Sequence, residues 1–78
     1  MTNERAALEK LLRRLPRFMH PEIDRIETLA DLEFQVAHEI DLTEDGVVSW
    51  TPKQLHRAKM YFADVHLAAQ QQAVGDAA

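Results

Sequence analysis

The chain predicts an all-α protein, a small bundle of three helices. Three observations carry that expectation. Apolar residues recur at three- and four-residue steps in three separate segments, and a proline stands at an edge of each segment. The longest connection between segments has room for no more than a short strand ladder.

The first helix is expected over about 3–15. Leu8, Leu11, Leu12 and Leu15 share a face, Thr2 or Asn3 is available as the cap, and Pro16 ends the helix because it lacks a donor and clashes with the preceding turn. The second is expected over about 21–40. Pro21 suits a first helical position, and Glu22 and Asp24 favour the positive end of the helix dipole. Its apolar seam reads Ile23, Ile26, Ala30, Ala37 and Ile40, widened by Leu29, Phe34 and Val36. The third is expected over about 52–72, opened by a Thr51-x-x-Gln54 capping box with Pro52 in the first turn. Leu55, Ala58, Phe62, Val65 and Ala69 form its seam. One domain over 1–74 and a frayed tail over 75–78 follow, with Gly75 as the stop.

Seventy-eight residues allow one modest core. An apolar share of 46% with 28% charged residues excludes wholesale disorder. The absence of cysteine excludes disulfides and thiolate chemistry and fits a reducing compartment. No apolar run reaches signal-peptide or membrane-spanning length, so a cytoplasmic protein without a membrane partner is expected.

The connection HEIDLTEDGVVSWTPKQL, His38 to Leu55, raises a sharper question. Asp41, Thr43, Asp45, Gly46, Val48 and Ser49 occupy successive positions that resemble an EF-hand calcium loop. The family closes that loop with a bidentate glutamate, and Pro52 stands there instead. That departure removes two oxygens and a charge, so no calcium site is expected. The competing reading is a tight turn or short hairpin at Glu44–Gly46, with Gly46 left-handed, Leu42 facing Val48, and Trp50 closing the end of the core.

No catalytic or cofactor-binding constellation emerges. His20, His38, His56 and His66 include no pair at the spacing that sets two imidazoles on one helical face, and no phosphate-cradling glycine loop exists. An enzyme is not expected, and no metal or cofactor is implied.

Charge is segregated instead. Residues 1–20 carry five basic and two acidic side chains, whereas residues 21–51 carry nine carboxylates against Arg25. Lys10, Arg13, Arg14 and Arg17 form a basic contact face on the first helix. Asp24, Glu27 and Asp31 form an acidic one on the second. Glu33 falls in the middle of the predicted apolar seam, where it must be paired, neutralised or facing a gap, unless the helix is rotated and leaves it in water. Lys59 is the expected partner if the two helices fold back about Gly46.

The third helix has a second apolar stripe, Met60, Ala63, Leu67 and Val74, nearly opposite its core seam. These features predict a small non-enzymatic interaction module, an adaptor, assembly or inhibitory protein, that binds a protein partner and self-associates as a homodimer. The alternative is a nucleic-acid-associated regulator using the basic face.

Overall fold

The computed structural model describes the backbone of residues 3–77 and the side chains of residues 3–72. These residues form α1 (Glu4–Arg13), α2 (Leu29–Glu44) and α3 (Pro52–Ala77), with a 3-10 turn at Ile23–Arg25 between α1 and α2. The protein is a small all-α three-helix bundle. Among the described residues there is no strand, so the corner holds a turn and no ladder.

α2 and α3 are the main packed pair. They run antiparallel: Lys59 meets Glu44 at the end of α2, and His66 meets Glu33 near its start. α1 lies across both. Its first turn reaches Leu29 at the head of α2, and its last turn reaches Tyr61 and Asp64 on α3. The 26 residues of α3 span roughly 39 Å at the helical rise. They set the long axis of a molecule measuring 41 × 21 × 17 Å.

The core joins Leu8 and Leu11 of α1, Leu29, Leu32, Val36 and Ile40 of α2, and Ala58, Tyr61 and Val65 of α3, with Met19 and Ile26 from the connecting segment. α1 is too short to cover the whole α2–α3 surface. The segment between α1 and α2 covers the rest: it buries Met19 and Ile26 and sets Phe18 edge-on to Trp50 at 5.0 Å. Trp50 packs against the core margin there, as expected of it.

α1 stops at Arg13, earlier than Leu15, because the residue before Pro16 is pushed out of helical conformation. Asn3 is its cap residue, but the Asn3 side chain makes no capping bond.

α2 differs more. It begins at Leu29, not Pro21, and ends at Glu44, not Ile40. A capping box starts it: Asp31 N–H donates to Thr28 Oγ1 (3.1 Å), and Thr28 N–H donates to the Asp31 carboxylate (3.1 Å). The Thr-x-x-Asp signal at Thr28 outweighs the proline at 21, because residues 21–28 must cross the bundle end and sink Ile26 on the way. Ile23 is left 53% exposed.

The helix is also turned by one residue position from the expected seam. Leu29, Leu32, Val36 and Ile40 face inward, Ala30 is exposed, and Phe34 is 69% exposed and stacked on His38.

At its far end α2 closes in a Schellman motif. Gly46 N–H donates to Thr43 O (3.1 Å) and Val47 N–H to Leu42 O (2.8 Å), with Gly46 at φ +82°. Asp41 and Thr43 are therefore helical residues, and the EF-hand-like positions are strung along a helix end without wrapping a common centre.

The Thr51 capping box forms as expected: Thr51 N–H donates to Gln54 Oε1 (2.9 Å) and Gln54 N–H to Thr51 Oγ1 (3.1 Å). α3 then continues through Gly75 to Ala77, where a tail was expected. A lone glycine lowers helix propensity by about 1 kcal/mol without by itself ending a helix.

Candidate functional site

Two surfaces stand out, and they meet at Met60. The first is an open groove of about 850 Å³ between the end of α1, the turn after it, and the first half of α3. Arg13, Arg14, Arg17 and Arg57 line it, with Leu15, Phe18 and Met60 as its apolar portion. Pro16 turns the chain here, which brings Arg17 round to the same side as Arg13 and Arg14 although α1 has already ended.

Asp64 supplies the groove's carboxylate, and Arg14 Nη2 donates to it at 2.7 Å. Arg13, Arg17 and Arg57 have no ion-pair partner among the described residues. Tyr61 lies beneath, 5% exposed, its hydroxyl donating to Leu11 O at 2.7 Å. Burial pushes the Tyr61 phenol up to about 12, partly offset by the positive charge of Arg14.

The basic face read from sequence is thus redrawn. Arg13, Arg14 and Arg17 come together, Lys10 remains exposed on α1 without lining the groove, and Arg57 joins from α3. Nothing local in the sequence ties Arg57 to α1; only the antiparallel packing of α3 does.

The second surface is the outer face of α3. Met60 is 60% and Leu67 55% exposed, with Ala63 exposed between them. The core side of the same helix holds Ala58, Tyr61 and Val65. The Val74 side chain lies outside the described residues.

The acidic face on α2 is not formed. Asp24 lies on the 3-10 turn, Glu27 precedes the helix, and Asp31 is committed to the cap, because α2 starts at Leu29. The N–H of Glu27 (3.0 Å), then that of Thr28, hold the Asp31 carboxyl below the usual carboxylate range. Leu29 N–H, another donor of that helix end, is taken by Glu4 Oε1 at 3.0 Å. This bond tethers α1 to α2, and sequence spacing could not reveal it.

The Glu33–Lys59 pair is likewise corrected. Glu33 sits at the seam's edge, half-buried, and faces His66 Nδ1, whose ring stacks on Phe62; Lys59 Nζ instead reaches Glu44 Oε2 at 3.4 Å. The fold-back is centred beyond Gly46, since α2 ends four residues later than expected, at Glu44 rather than Ile40, and this slides the level pairings along α3. Glu39 anchors the connecting segment by accepting from His20 N–H at 3.1 Å.

The described residues hold no cluster of three or more metal-ligating side chains. No helix among them is long and apolar enough to cross a membrane.

Fold and surfaces together define a class: a small all-α three-helix bundle with an arginine-lined groove and an uncovered apolar face on its longest helix. Compared with known protein families, curated proteins and solved structures, the chain matches none.

Proposed function

We propose that this chain is a small non-enzymatic protein-interaction module that self-associates through the outer face of α3. The exposure of Met60 and Leu67 opposite the filled core side carries the reading. A helix apolar on two sides is normally covered on two sides. A second copy offering the same stripe across a two-fold axis covers both helices with one kind of contact. Met60 and Leu67 still expose 60% and 55% of their surface, and covering that contributes roughly 1–2 kcal/mol each, a sizeable gain for so small a core. Adaptor, assembly and inhibitory roles fit such a module, and the cysteine-free composition goes with a cytoplasmic setting.

Size exclusion with light scattering should give twice the monomer mass for the native chain. Met60→Glu with Leu67→Glu should give the monomer mass with helical circular dichroism unchanged, because both side chains point away from the core. A native chain that stays monomeric at high concentration removes self-association from the reading.

A second reading, a nucleic-acid-associated regulator, draws on the convergence of Arg13, Arg14, Arg17 and Arg57 in one groove. Phosphate contacts would make its binding fall steeply with salt.

A further inference from the structure

We infer that the arginine groove docks an acidic protein segment carrying an apolar side chain. The inference rests on reading the chain as an interaction module, but not on its self-association.

Four guanidiniums line the groove against the Asp64 carboxylate, which Arg14 already occupies. Arg13, Arg17 and Arg57 thus gather positive charge in one concavity of a chain whose net charge is −4. Like charges held together repel unless an anion lies between them. A guanidinium offers a planar fork of donors that matches a carboxylate with two parallel hydrogen bonds. The groove is not only basic. Half-buried Leu15 and Phe18 add apolar surface beside the arginines, with Met60 at the margin shared with the outer face of α3. A bare anion leaves that surface wet, whereas a peptide with carboxylates flanking an aliphatic side chain uses both parts. A volume of about 850 Å³ accommodates a short stretch of such a peptide.

Nucleic acid fits less well. A polyanion running on past the groove lies against a chain that carries thirteen carboxylates to nine lysines and arginines. The groove's aromatic rings are also committed, Phe18 edge-on to Trp50 and Tyr61 buried with its hydroxyl bonded to Leu11 O. Tyr61 offers no free face on which a base could stack, and a lone, half-buried Phe18 is a poor platform for successive bases.

The test uses the full chain and a short fluorescein-labelled glutamate peptide with a central leucine, followed by fluorescence anisotropy. Controls are the same peptide with alanine for leucine and a labelled oligodeoxythymidylate of similar charge. The native chain should bind the glutamate–leucine peptide best and lose affinity as salt rises. Arg17→Glu with Arg57→Glu should weaken binding by about tenfold or more through like-charge repulsion. Both residues are exposed and unpaired among the described residues, so the fold should persist; Arg17→Ala with Arg57→Ala, checked by circular dichroism, repeats the test more gently.

Absent peptide binding, binding unchanged in both arginine variants, or equal binding of the alanine peptide would overturn the proposal. So would tighter binding of the oligonucleotide, which makes the groove a phosphate site. If the arginine variants dissolve a dimer and native peptide binding is absent, the groove's occupant is an acidic segment of a second copy, and the proposal again fails. Met60 is left unchanged because it belongs to both surfaces. A native chain of dimer mass that binds no peptide sinks the groove alone, and a native monomer that still binds peptide sinks self-association alone.

Discussion

Tyr61 holds a phenol against the core, and its chemistry makes that placement measurable. The hydroxyl donates to Leu11 O, a carbonyl that also accepts from Arg14 N–H at 3.0 Å. Tyr61→Phe therefore leaves no orphaned carbonyl, and the cost should be modest, about 0.5–1.5 kcal/mol by urea denaturation at neutral pH. The pH dependence is the sharper readout. The fold raises this group from 10.0 to about 12, so it favours the neutral phenol. Its contribution is complete below pH 10.0 and is lost as pH rises from there to about 12. The difference in stability between native and Tyr61→Phe proteins should shrink over that window and should be flat below it. A difference that stays constant through the window would mean the phenol ionises freely in the fold.

At the scale of the element, the ends of the helices decide more than their middles. Asp31 shows this at the head of α2, where its lowered carboxyl pKa ties the cap to pH. The cap's stabilisation is present above the ordinary value of 3.8 and is lost as pH falls below it through the lowered value. Gly46 shows it at the other end. A Cβ there would meet nothing within 4 Å, so space is no obstacle to Gly46→Ala. The obstacle is φ +82°, a left-handed conformation that costs an L-residue about 1–2 kcal/mol. Thermal or urea melts of Gly46→Ala should show that loss with native helix content retained. No loss would mean that the Schellman turn is not formed in solution.

The left-handed Gly46 was legible in advance because it depends on neighbours a few residues apart, although the helix was expected to end at Ile40 and reaches Glu44. The same holds for Thr51 with Gln54, whose reciprocal bonds need only four consecutive residues. Pro21 misled for the same reason: its local suitability for a helix start was real, but Thr28 with Asp31 offered a better cap nearer the buried seam. No local signal marked Met19 as core, because it lies outside any helical repeat.

For the molecule as a whole, the rotation of α2 governs both the core and the surface left over. Leu32 is fully buried and Phe34, two positions on, is 69% exposed. Leu32→Ala should cost about 2–5 kcal/mol, since a fully buried side chain would leave a cavity in the core. A core of this size supplies only about 3–5 kcal/mol in total, so the variant should be substantially unfolded at ambient temperature. Phe34→Ala should change stability by less than about 0.5 kcal/mol. Urea titration of the pair decides the orientation, and the reverse ranking would return α2 to the seam centred on Glu33.

The sequence by itself determined that there are three helices, that Pro16, Gly46 and the Thr51 box punctuate them, and that α3 is apolar on two sides. Those features follow from hydrogen bonds and steric limits acting within one or two turns of chain. Tertiary structure alone decided which face of α2 turns inward. Ala30, Glu33, Ala37 and Ile40 and the set Leu29, Leu32, Val36 and Ile40 are both spaced in threes and fours, and periodicity alone does not choose between stripes one residue apart. The choice falls to the side that meets Leu8 and Leu11 of α1 and Tyr61 and Val65 of α3. The same packing sets Glu4 on Leu29 N–H, Arg14 on Asp64, and Arg57 in the groove, because those partners are distant in the chain and become neighbours only when the helices close on one another.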